Sequence, residues 1–357
     1  MRVFHFFHGS LEHHNQPMLQ LFKGQENNEC DSVCFIVATD PHKKIVHSAV
    51  YDQIITTLKG YISFIRHSIS VDDVVVIHGL YTNWHYLLPL LNPKLAPKVI
   101  WDVWGDDYYS VNRLISSNKL SDKIRYYFRR FAIPKFGAVA GFQKDVELVC
   151  KTFNFRNHQF EVNHPLRPAL DNLSFESNLQ NQPRKVLVGN SGSRSNEHVR
   201  GIEYLKKNKH FESLDIVCLF STDTEHEYEK EFKTYLKDNK IQNVTIIKEM
   251  MSFPEFIAFI RSLGCIVLPH RRQQGVGTSN LSLVLGKPVY MDMNVATAKY
   301  YSMHNVQVFD IESLNNAEPS EWQSFNGEHN SDSIKSLFGI EAVKAKWQTI
   351  IAEFNRD

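Results

Sequence analysis

PHRRQQGVGTSNLSLVLGKPVYM (Pro269–Met291) is the stretch that decides the fold. It follows a short apolar run, Cys265–Leu268, which has the length and composition of a buried strand. Pro288 opens a second apolar run of the same kind. Between the two strands lie a glycine turn and a short apolar segment, Leu281–Leu285, which predicts a short helix that Gly286 ends. The order strand, turn, helix, strand is typical of a parallel α/β sheet.

The turn itself has the features of an anion site. Gly275 and Gly277 space it, and the basic pair Arg271 and Arg272 precedes it. Three consecutive residues of good N-cap type lead into the helix: Thr278, Ser279 and Asn280. A helix start presents unpaired N–H groups and a positive dipole end, which suit a diphosphate, and an arginine adds charge-assisted hydrogen bonds. An ordinary βα turn with solvated arginines is the alternative that the turn alone leaves open.

Length and composition favour a globular protein of two domains. The chain has 357 residues, which is long for one core. It is 43% hydrophobic and 22% charged, a composition that argues against disorder. The formal net charge of +1 argues against broad nucleic-acid binding.

The cysteines and the apolar runs indicate the compartment. The five cysteines are scattered and lack zinc-site spacing, so reduced thiols in a cytoplasmic protein are expected. The N-terminus, MRVFHFFHGS, is too short and too rich in histidine for the core of a signal peptide. No apolar run approaches the roughly 20 residues of a membrane span. We expect a protein that is cytoplasmic or attached to a membrane from the cytoplasmic side.

The first half of the chain alternates strands with helices. Strands are expected at Arg2–Phe7, Val33–Ala38, Val74–Ile77 and Val99–Trp104, and helices at Pro17–Gly24, Val50–His67 and Leu80–Leu91; a further strand and helix fill Ala138–Phe153. This spacing predicts a parallel sheet whose active crevice lies at the carboxyl ends of the strands. Candidate site residues follow those ends: Gly9, His13, His14, His78, Gly79, Asp106 and Asp107.

The second half repeats the plan after a polar stretch, Arg167–Arg184, that is typical of a linker. Strand Lys185–Val188 leads into a second glycine turn, GNSGSRSNEH (Gly189–His198), where Ser195 or Asn196 is expected to cap the next helix. The remaining elements are strands at Leu214–Phe220, Val244–Ile247 and Val306–Phe309, a helix at Phe253–Leu263 and a closing helix at Ser333–Phe354.

One segment of the first half is both basic and aromatic. Arg113–Gly137 interleaves tyrosines and phenylalanines with arginines and a lysine, among them Arg125, Arg129 and Arg130. This pattern favours a helix that lies on an anionic bilayer surface. A helix that packs its aromatic side chains inward and leaves its arginines in water is the alternative.

Three segments together carry a family resemblance: Val186–His198 (VLVGNSGSRSNEH), Arg272–Thr278 (RQQGVGT), and Trp101–Asp107 (WDVWGDD) with the upstream His13-His14-Asn15. Over essentially its whole length, the chain resembles the family of transferases that use TDP-4-acetamido-4,6-dideoxygalactose (TDP-Fuc4NAc) in enterobacterial common antigen assembly. The resemblance implies a GT-B fold: two α/β Rossmann-like domains with parallel sheets facing across a cleft. It implies transfer of a deoxyamino sugar from a TDP-sugar to a lipid-linked (polyprenyl diphosphate) saccharide at the inner membrane, with no essential metal.

The resemblance also implies how the chain is divided. Residues 1–165 would form the acceptor-binding domain and residues 166–184 the linker. Residues 185–335 would bind the nucleotide sugar, and the helix at 336–357 could pack back on the N-terminal domain. In GT-B glycosyltransferases a glycine pair, a short helix and a Gly-Lys-Pro start of a strand line the donor pocket, and Pro269–Met291 is similar to that segment.

The implied donor residues lie on the two glycine turns: Gly189, Asn190, Ser191, Gly192, Arg194, Asn196, Glu197, Arg272, Gln274, Gly275, Gly277, Thr278 and Ser279. Arg194, Arg272 and the N–H groups of the turn would stabilise the leaving diphosphate. Gly189 and Gly192 would let the backbone approach the donor closely. Glu197 would orient hydroxyls, or would only complement a helix dipole.

Two positions depart from the GT-B pattern. Gln274 stands where many of these enzymes carry glutamate, and Ser282 stands near the position of the missing ribose-binding glutamate. A deoxyribose has no 2'-hydroxyl, so this absence fits a thymidine nucleotide.

For the acceptor, His13, His14, His78 and Asp107 are the candidates for activating or orienting a hydroxyl. Each histidine could instead be a structural hydrogen-bonding group. Asp102 departs from the family pattern and is a poor sole candidate. Asp106 and Asp107 form an adjacent acidic pair, but a metal at this pair is disfavoured because GT-B sites neutralise the diphosphate with basic groups.

Two other functions remain open on the residues alone. A nucleotide-sugar epimerase of the same fold would isomerise the donor without an acceptor. A non-catalytic sugar-nucleotide-binding protein would bind the donor and release no nucleoside diphosphate.

Overall fold

The computed structural model describes residues 1–9, 12–23, 32–39, 50–173, 175, 184–222 and 224–356. The chain divides into two compact units. The first comprises Met1–Arg167 together with Phe338–Asp357, and the second comprises Pro168–Leu337. Each unit is built around one parallel sheet, so the predicted α/β fold with two Rossmann-like domains is confirmed.

The sheet of the first unit has seven strands, all parallel, in the order β3-β2-β1-β4-β5-β6-β7. They are β1 (Arg2–Phe7), β2 (Ser32–Ala38), β3 (Gln53–Ile55), β4 (Val74–His78), β5 (Val99–Asp102), β6 (Ala138–Gly141) and β7 (His158–Glu161). The strand order reverses between β1 and β4, and ligands bind at the carboxyl ends of strands beside such a reversal. β4 is buried along its whole length, as expected of a central parallel strand.

Helices cover both faces of this sheet. They are α1 (Glu12–Phe22), α2 (Leu58–His67), α3 (Leu88–Leu91), α4 (Asp106–Ser116), α5 (Leu120–Ala132) and α6 (Gln143–Phe153). The prediction of one helix over Val50–His67 was wrong. Its first part is the edge strand β3, and Thr57 starts α2 by accepting a hydrogen bond from the Gly60 N–H. Helix α1 also begins earlier than predicted, with Pro17 inside it.

The sheet of the second unit has six parallel strands in the order β10-β9-β8-β11-β12-β13. They are β8 (Lys185–Val188), β9 (Asp215–Leu219), β10 (Val244–Ile247), β11 (Cys265–Leu268), β12 (Val289–Met291) and β13 (Phe309–Asp310). The order reverses between β8 and β11, and the two predicted glycine turns follow these two neighbouring strands. The fold therefore places both turns at one edge of the sheet.

The helices of the second unit include a short one inside the predicted linker. They are α7 (Pro168–Asp171), α8 (His198–Lys206), α9 (His226–Asp238), α10 (Phe253–Ser262), α11 (Val276–Val284), α12 (Ala296–Met303), α13 (Pro319–Ser324) and α14 (Glu328–Phe338). Residues 176–183 of that linker lie outside the described part of the chain.

The predicted closing helix is two helices. The helical conformation is interrupted at Gly339, and the second helix, α15 (Ile340–Arg356), packs against the first unit. The Trp347 ring on α15 is fully buried, 5.7 Å from the Phe22 ring and 5.8 Å from the His78 ring. Within the described residues, no helix is both long and apolar enough to cross a membrane.

Candidate active site

The two glycine turns of the second unit meet in a site that we call the two-turn site. It comprises the turn after β8, residues 189–197, and the turn after β11, residues 269–277. Hydrogen bonds join the turns: Arg272 Nη2 donates to Ser195 Oγ (3.2 Å), Gln274 Nε2 donates to Ser193 Oγ (3.4 Å), and Arg271 Nε donates to Glu197 Oε2 (2.9 Å). His270 Nε2 also lies 3.3 Å from Asn196 Oδ1. The prediction that these distant segments form one site thus has a geometric basis.

Asn196 organises the first turn. Its side chain is fully buried, and its Oδ1 accepts from the backbone N–H groups of Asn190 (2.8 Å) and Ser191 (3.3 Å). Its Nδ2 donates to Ser191 Oγ at 2.7 Å. An asparagine side chain that satisfies two backbone donors fixes a turn in one conformation. Asn196 was expected to cap a helix, but the residue before α8 is Glu197, in a left-handed conformation with φ of 48°.

The second turn leads directly into the N-terminus of α11. Gly275 stands before the helix with φ of 68°, a conformation that strains residues with a Cβ. The predicted caps Thr278, Ser279 and Asn280 lie inside the helix instead. The N-cap residue is a glycine and offers no capping side chain. The N–H groups of the first helical turn have no intrahelical partners, as at every helix start. Gly277 sits beside them with open space where a Cβ would be.

Ser279 is turned away from this helix end. Its backbone N–H donates to the Gly275 carbonyl at 2.8 Å, which is the i to i−4 hydrogen bond of the first helical turn. Its buried hydroxyl contacts Tyr301 OH at 2.8 Å and donates to the Val276 carbonyl at 3.0 Å. The hydroxyl of Ser279 is thus engaged within the unit, and its donor contact stays a prediction.

Gly189 and Gly192 serve packing within the unit. A Cβ on Gly189 would lie 2.5 Å from His198 Nε2, and one on Gly192 would lie 2.5 Å from Thr224 Oγ1. Other atoms of the protein occupy the space where a side chain would lie at these two positions. Both glycines were predicted to let the donor approach the backbone. In the structure, a larger residue at either position would collide with a neighbouring side chain.

Arg194 also departs from its predicted role. Both of its terminal nitrogens donate to Glu231 on α9, at 2.6 and 2.8 Å, and its guanidinium lies 5.2 Å from the centre of the Tyr228 ring. The hydrogen bond to Glu231 raises the pKa of Arg194. An exposed pair of this kind contributes little to stability, but it occupies the side chain that was expected to bind the diphosphate.

Arg272 is one of the cationic side chains of the two-turn site. Burial, and then the neighbouring Arg272 guanidinium, lower the pKa of His270 to about 3, so that imidazole is neutral. Burial also lowers the pKa of His198 to about 3. Arg271 is compensated by Glu197 in a 2.9 Å ion pair. The half-buried Arg272 lies three residues before Gly275, the N-cap of α11, and brings a positive charge to the second turn.

Sequence reasoning missed Arg200. Its Nη1 donates to the Pro269 carbonyl at 2.8 Å, and its Nη2 donates to Asp292 Oδ2 at 2.7 Å. It lies on α8 and ties the start of the second turn to the end of β12. An arginine in the middle of a helical pattern gave no signal of this role.

Lys287, of the Gly-Lys-Pro segment, lies at the opposite edge of the sheet. Its Nζ donates to the carbonyls of Arg261 (2.6 Å) and Leu263 (2.9 Å) at the end of α10. Burial lowers its pKa to about 7. Lys287 stabilises a helix C-terminus here, so the expectation that this segment lines the donor pocket does not hold for its lysine.

In the first unit, Asp107 ties loops together. Its carboxylate accepts hydrogen bonds from the Leu80 N–H (3.0 Å), Trp101 Nε1 (2.8 Å) and the Trp104 N–H (3.1 Å). The side chain is buried, and this burial raises its pKa to about 6. Both oxygens accept hydrogen bonds within the unit, which gives Asp107 a structural role, and its catalytic role stays a prediction.

His78 belongs to a buried chain of hydrogen bonds across β1, β4 and β5. Its Nδ1 lies 2.7 Å from Asp102 Oδ2, and its Nε2 lies 2.9 Å from His5 Nδ1. Burial lowers the pKa of both histidines well below its usual range, so both rings are neutral. With Asp102 ionised, His78 donates from Nδ1 and accepts from His5 at Nε2; with Asp102 protonated, which its raised pKa of about 7 allows near neutral pH, these directions reverse. His78 thus orients Asp102 and has no nitrogen left for an acceptor.

The predicted histidine pair lies in α1. His13 and His14 occupy its first turn, beyond the carboxyl end of β1, and their side chains lie outside the described residues. The next residue, Asn15, is buried and donates to the His8 carbonyl at 3.0 Å and to Tyr51 OH at 3.2 Å. Asn15 therefore fixes this helix start to the strand end.

Half-buried rings that the sequence did not single out lie at the same carboxyl edge. The His8 ring lies 5.7 Å from the Tyr81 ring, and the Trp104 ring lies 5.3 Å from the His164 ring. Trp104 Nε1 also donates to Asp102 Oδ2 at 2.8 Å. His8 directly follows β1, so its position was readable from the sequence, whereas His164 follows a strand, β7, that was not predicted.

No group of three or more potential metal ligands from histidine, cysteine, aspartate and glutamate occurs among the residues that the structure describes. The absence of an essential metal remains a prediction.

Comparison with known proteins gives a family. A sequence model described as "4-alpha-L-fucosyltransferase glycosyl transferase group 56" matches residues 1–355.

Solved structures give the fold. A glycosyltransferase from Rickettsia africae is 13% identical, covers 100% of this chain and 99% of its own, and superposes with a TM-score of 0.69. HepE of Anabaena, in complex with UDP and glucose, is 10% identical, covers 99% of this chain and 100% of its own, and has a TM-score of 0.70. WaaG, described as a glycosyltransferase involved in lipopolysaccharide biosynthesis, is 12% identical, with coverages of 98% and 99% and a TM-score of 0.65. The chain has the GT-B fold of these enzymes.

Proposed function

Because this chain belongs to glycosyl transferase group 56, we propose that it moves a deoxyamino sugar from a TDP-sugar to a lipid-linked saccharide in the synthesis of a bacterial surface polysaccharide. The chain is a glycosyltransferase of GT-B fold. The proposal adds the donor, of TDP-Fuc4NAc type, and the acceptor, a polyprenyl-diphosphate-linked saccharide of a common antigen or O-antigen.

The observation that carries the donor site is the uncapped N-terminus of α11 beside Arg272. Glycosyl transfer breaks the bond between the anomeric carbon and the leaving oxygen, and negative charge develops on the departing nucleoside diphosphate. Helix N–H groups and an arginine placed in advance stabilise that charge without rearrangement. The open space at Gly277 lets a phosphate oxygen approach those N–H groups. The HepE structure holds UDP and glucose, which supports a nucleotide-sugar donor.

The choice of thymidine rests on a missing carboxylate. Helix α11 carries no acidic residue in its first turn. Ser282, near the position of the absent ribose-binding glutamate, is buried and donates to the Thr278 carbonyl at 2.7 Å. Neither feature offers a partner to a ribose 2'-hydroxyl. This supports a deoxynucleotide.

The acceptor is proposed to bind at the carboxyl edge of the first sheet, where Asp102, Trp104, His164 and His8 lie. A lipid-linked acceptor has its polyprenyl chain in a bilayer, so the enzyme must work at the membrane surface. We propose peripheral attachment to the inner membrane, from the cytoplasmic side, through Arg113–Gly137. The buried Arg129 does not belong to the attachment surface.

Thermal shift with a panel of nucleoside diphosphates tests the donor, since a ligand that binds the native state raises its apparent stability. TDP is expected to raise the melting temperature more than UDP, GDP or ADP does. Equal shifts for TDP and UDP would remove the thymidine assignment and leave the transferase assignment in place.

The epimerase alternative shares the donor site, so binding alone does not separate it. Incubation of the protein with a TDP-sugar and no acceptor does, because an epimerase would isomerise the sugar. We expect the donor to be recovered unchanged.

A further inference from the structure

Helix α5 exposes a continuous row of large apolar side chains. Five of them are between 40% and 73% exposed: Leu120, Ile124, Tyr127, Phe128 and Phe131. Their spacing along the chain places them on one face of the helix. We call this row the α5 stripe. Scattered apolar residues are normal on protein surfaces, but a contiguous row marks a surface that binds something.

The opposite face of α5 is fixed to the first unit. Arg129 is buried, and its Nη1 donates to the Asp107 carbonyl at 3.2 Å and to Ser110 Oγ at 2.9 Å. Its guanidinium lies 5.2 Å from the centre of the Tyr86 ring, and Ala132 is buried beside it. The helix therefore already has its core contact, and the stripe is its outer face.

The surroundings of the stripe are basic. Five exposed cationic side chains lie on α5 or next to its ends: Lys119, Lys123, Arg125, Arg130 and Lys135. Lys135 Nζ lies 4.7 Å from the centre of the Phe131 ring. The carboxylate on this helix, Asp122, is half-buried, accepts from Ser117 Oγ at 2.6 Å and lies 3.7 Å from Arg125.

These positive charges indicate which partner binds the α5 stripe. A two-fold contact between two copies of the chain would place the same basic surface against itself, which like-charge repulsion opposes. An anionic bilayer offers both the apolar interior and the negative headgroups that this surface matches.

We infer that α5 docks on an anionic bilayer by inserting the stripe, while the flanking lysines and arginines contact headgroups. The inference rests on the proposed function, because a lipid-linked acceptor requires a membrane-facing surface. It goes further in naming apolar insertion, rather than charge alone, as the main contact and in assigning it to these five side chains.

The test uses the full-length chain and sedimentation with vesicles of phosphatidylcholine and phosphatidylglycerol. The variant Leu120→Ser/Tyr127→Ser/Phe131→Ser should lose about tenfold or more in partition coefficient, at low and at high salt, because insertion depends on apolar area. The variant Lys123→Glu/Arg125→Glu/Arg130→Glu should lose binding mainly at low salt, where charges are poorly screened. Met250→Ser/Met303→Ser removes two exposed apolar side chains from the second unit and should bind as the parent does.

Retained vesicle binding by the stripe variant would overturn the inference. So would light scattering that finds a dimeric parent and a monomeric stripe variant, because a second copy would then cover the stripe. Each variant should keep the parent's thermal shift with TDP, which separates failure of this inference from failure of the donor assignment or of folding.

Discussion

Arg272→Ala tests the donor site most sharply, because the structure supplies its own matched control. Two arginines on the glycine turns were equivalent candidates in the sequence. In the structure, Arg272 donates to Ser195 across the two turns, three residues before the N-cap of α11, whereas Arg194 is paired with Glu231 on α9. We expect Arg272→Ala to weaken TDP binding and Arg194→Ala to leave it unchanged.

The magnitude follows from the environment of Arg272. The side chain is half-buried, its neighbour His270 is neutral, and it donates a hydrogen bond to the uncharged Ser195. A charged hydrogen bond to a phosphate in such a place is worth about 1.5–3 kcal/mol. The dissociation constant for TDP should therefore rise by about 10- to 150-fold.

Isothermal titration calorimetry with TDP at fixed ionic strength measures the loss, and urea denaturation of each variant shows that the fold is retained. Unchanged affinity in Arg272→Ala would place this residue outside the pocket. A loss in Arg194→Ala as large as that in Arg272→Ala would refute the reasoning from the Glu231 pair, since it would require Arg194 to leave that pair for the donor.

Three further predictions follow from single features. Gly277→Ala should stabilise the fold by up to about 1 kcal/mol, because alanine favours helices and its methyl group meets no protein atom within 4 Å. The same methyl group should weaken TDP binding, because it crowds the helix start. Unchanged TDP affinity in calorimetry would show that the diphosphate does not bind at this helix start. EDTA should leave transfer activity intact, because the proposed phosphate partners are N–H groups and Arg272; loss of activity that magnesium or manganese restores would contradict this. Burial raises the pKa of Asp102 from 3.8 to about 7, so the folded state holds this proton more tightly than the unfolded state, and the stability that it contributes is lost as pH rises from about 4 to 7. Urea denaturation should show that decline in the parent relative to Asp102→Asn, and parallel pH curves for the two would disprove it.

Much of the fold was readable from apolar periodicity. The runs Lys185–Val188 and Cys265–Leu268 are strands with the predicted bounds, because buried central strands consist of continuous apolar residues. The apolar run Val244–Ile247 is also a strand with the predicted bounds, although it lies at the edge of its sheet. The edge strands β3 and β7 were missed, since strands at an edge are exposed and carry polar residues. Helix starts were also misplaced, because Gly275 and Glu197 begin helices in left-handed conformations that side-chain capping rules do not anticipate.

The site was predictable as a pair of turns but not residue by residue. Motif position placed Arg194 and Arg272 on equal terms, and only the position of Glu231 on a neighbouring helix separates them. Similarly, Asp107 and His78 follow strand ends as catalytic residues do, but long-range partners engage both side chains in the core. Burial and pairing across the sheet are tertiary properties that a local pattern does not contain.

The central claim, transfer from a TDP-sugar to a lipid-linked acceptor, is tested most directly by following both products in one reaction. The purified chain is incubated with TDP-4-acetamido-4,6-dideoxygalactose and a polyprenyl-diphosphate-linked saccharide. Released TDP is measured by chromatography, and the acceptor is weighed by mass spectrometry. We predict TDP release and extension of the saccharide by one sugar in equal amounts, with neither product when the acceptor is omitted. Isomerised donor without an acceptor, or bound donor that releases no TDP with it, would contradict the account.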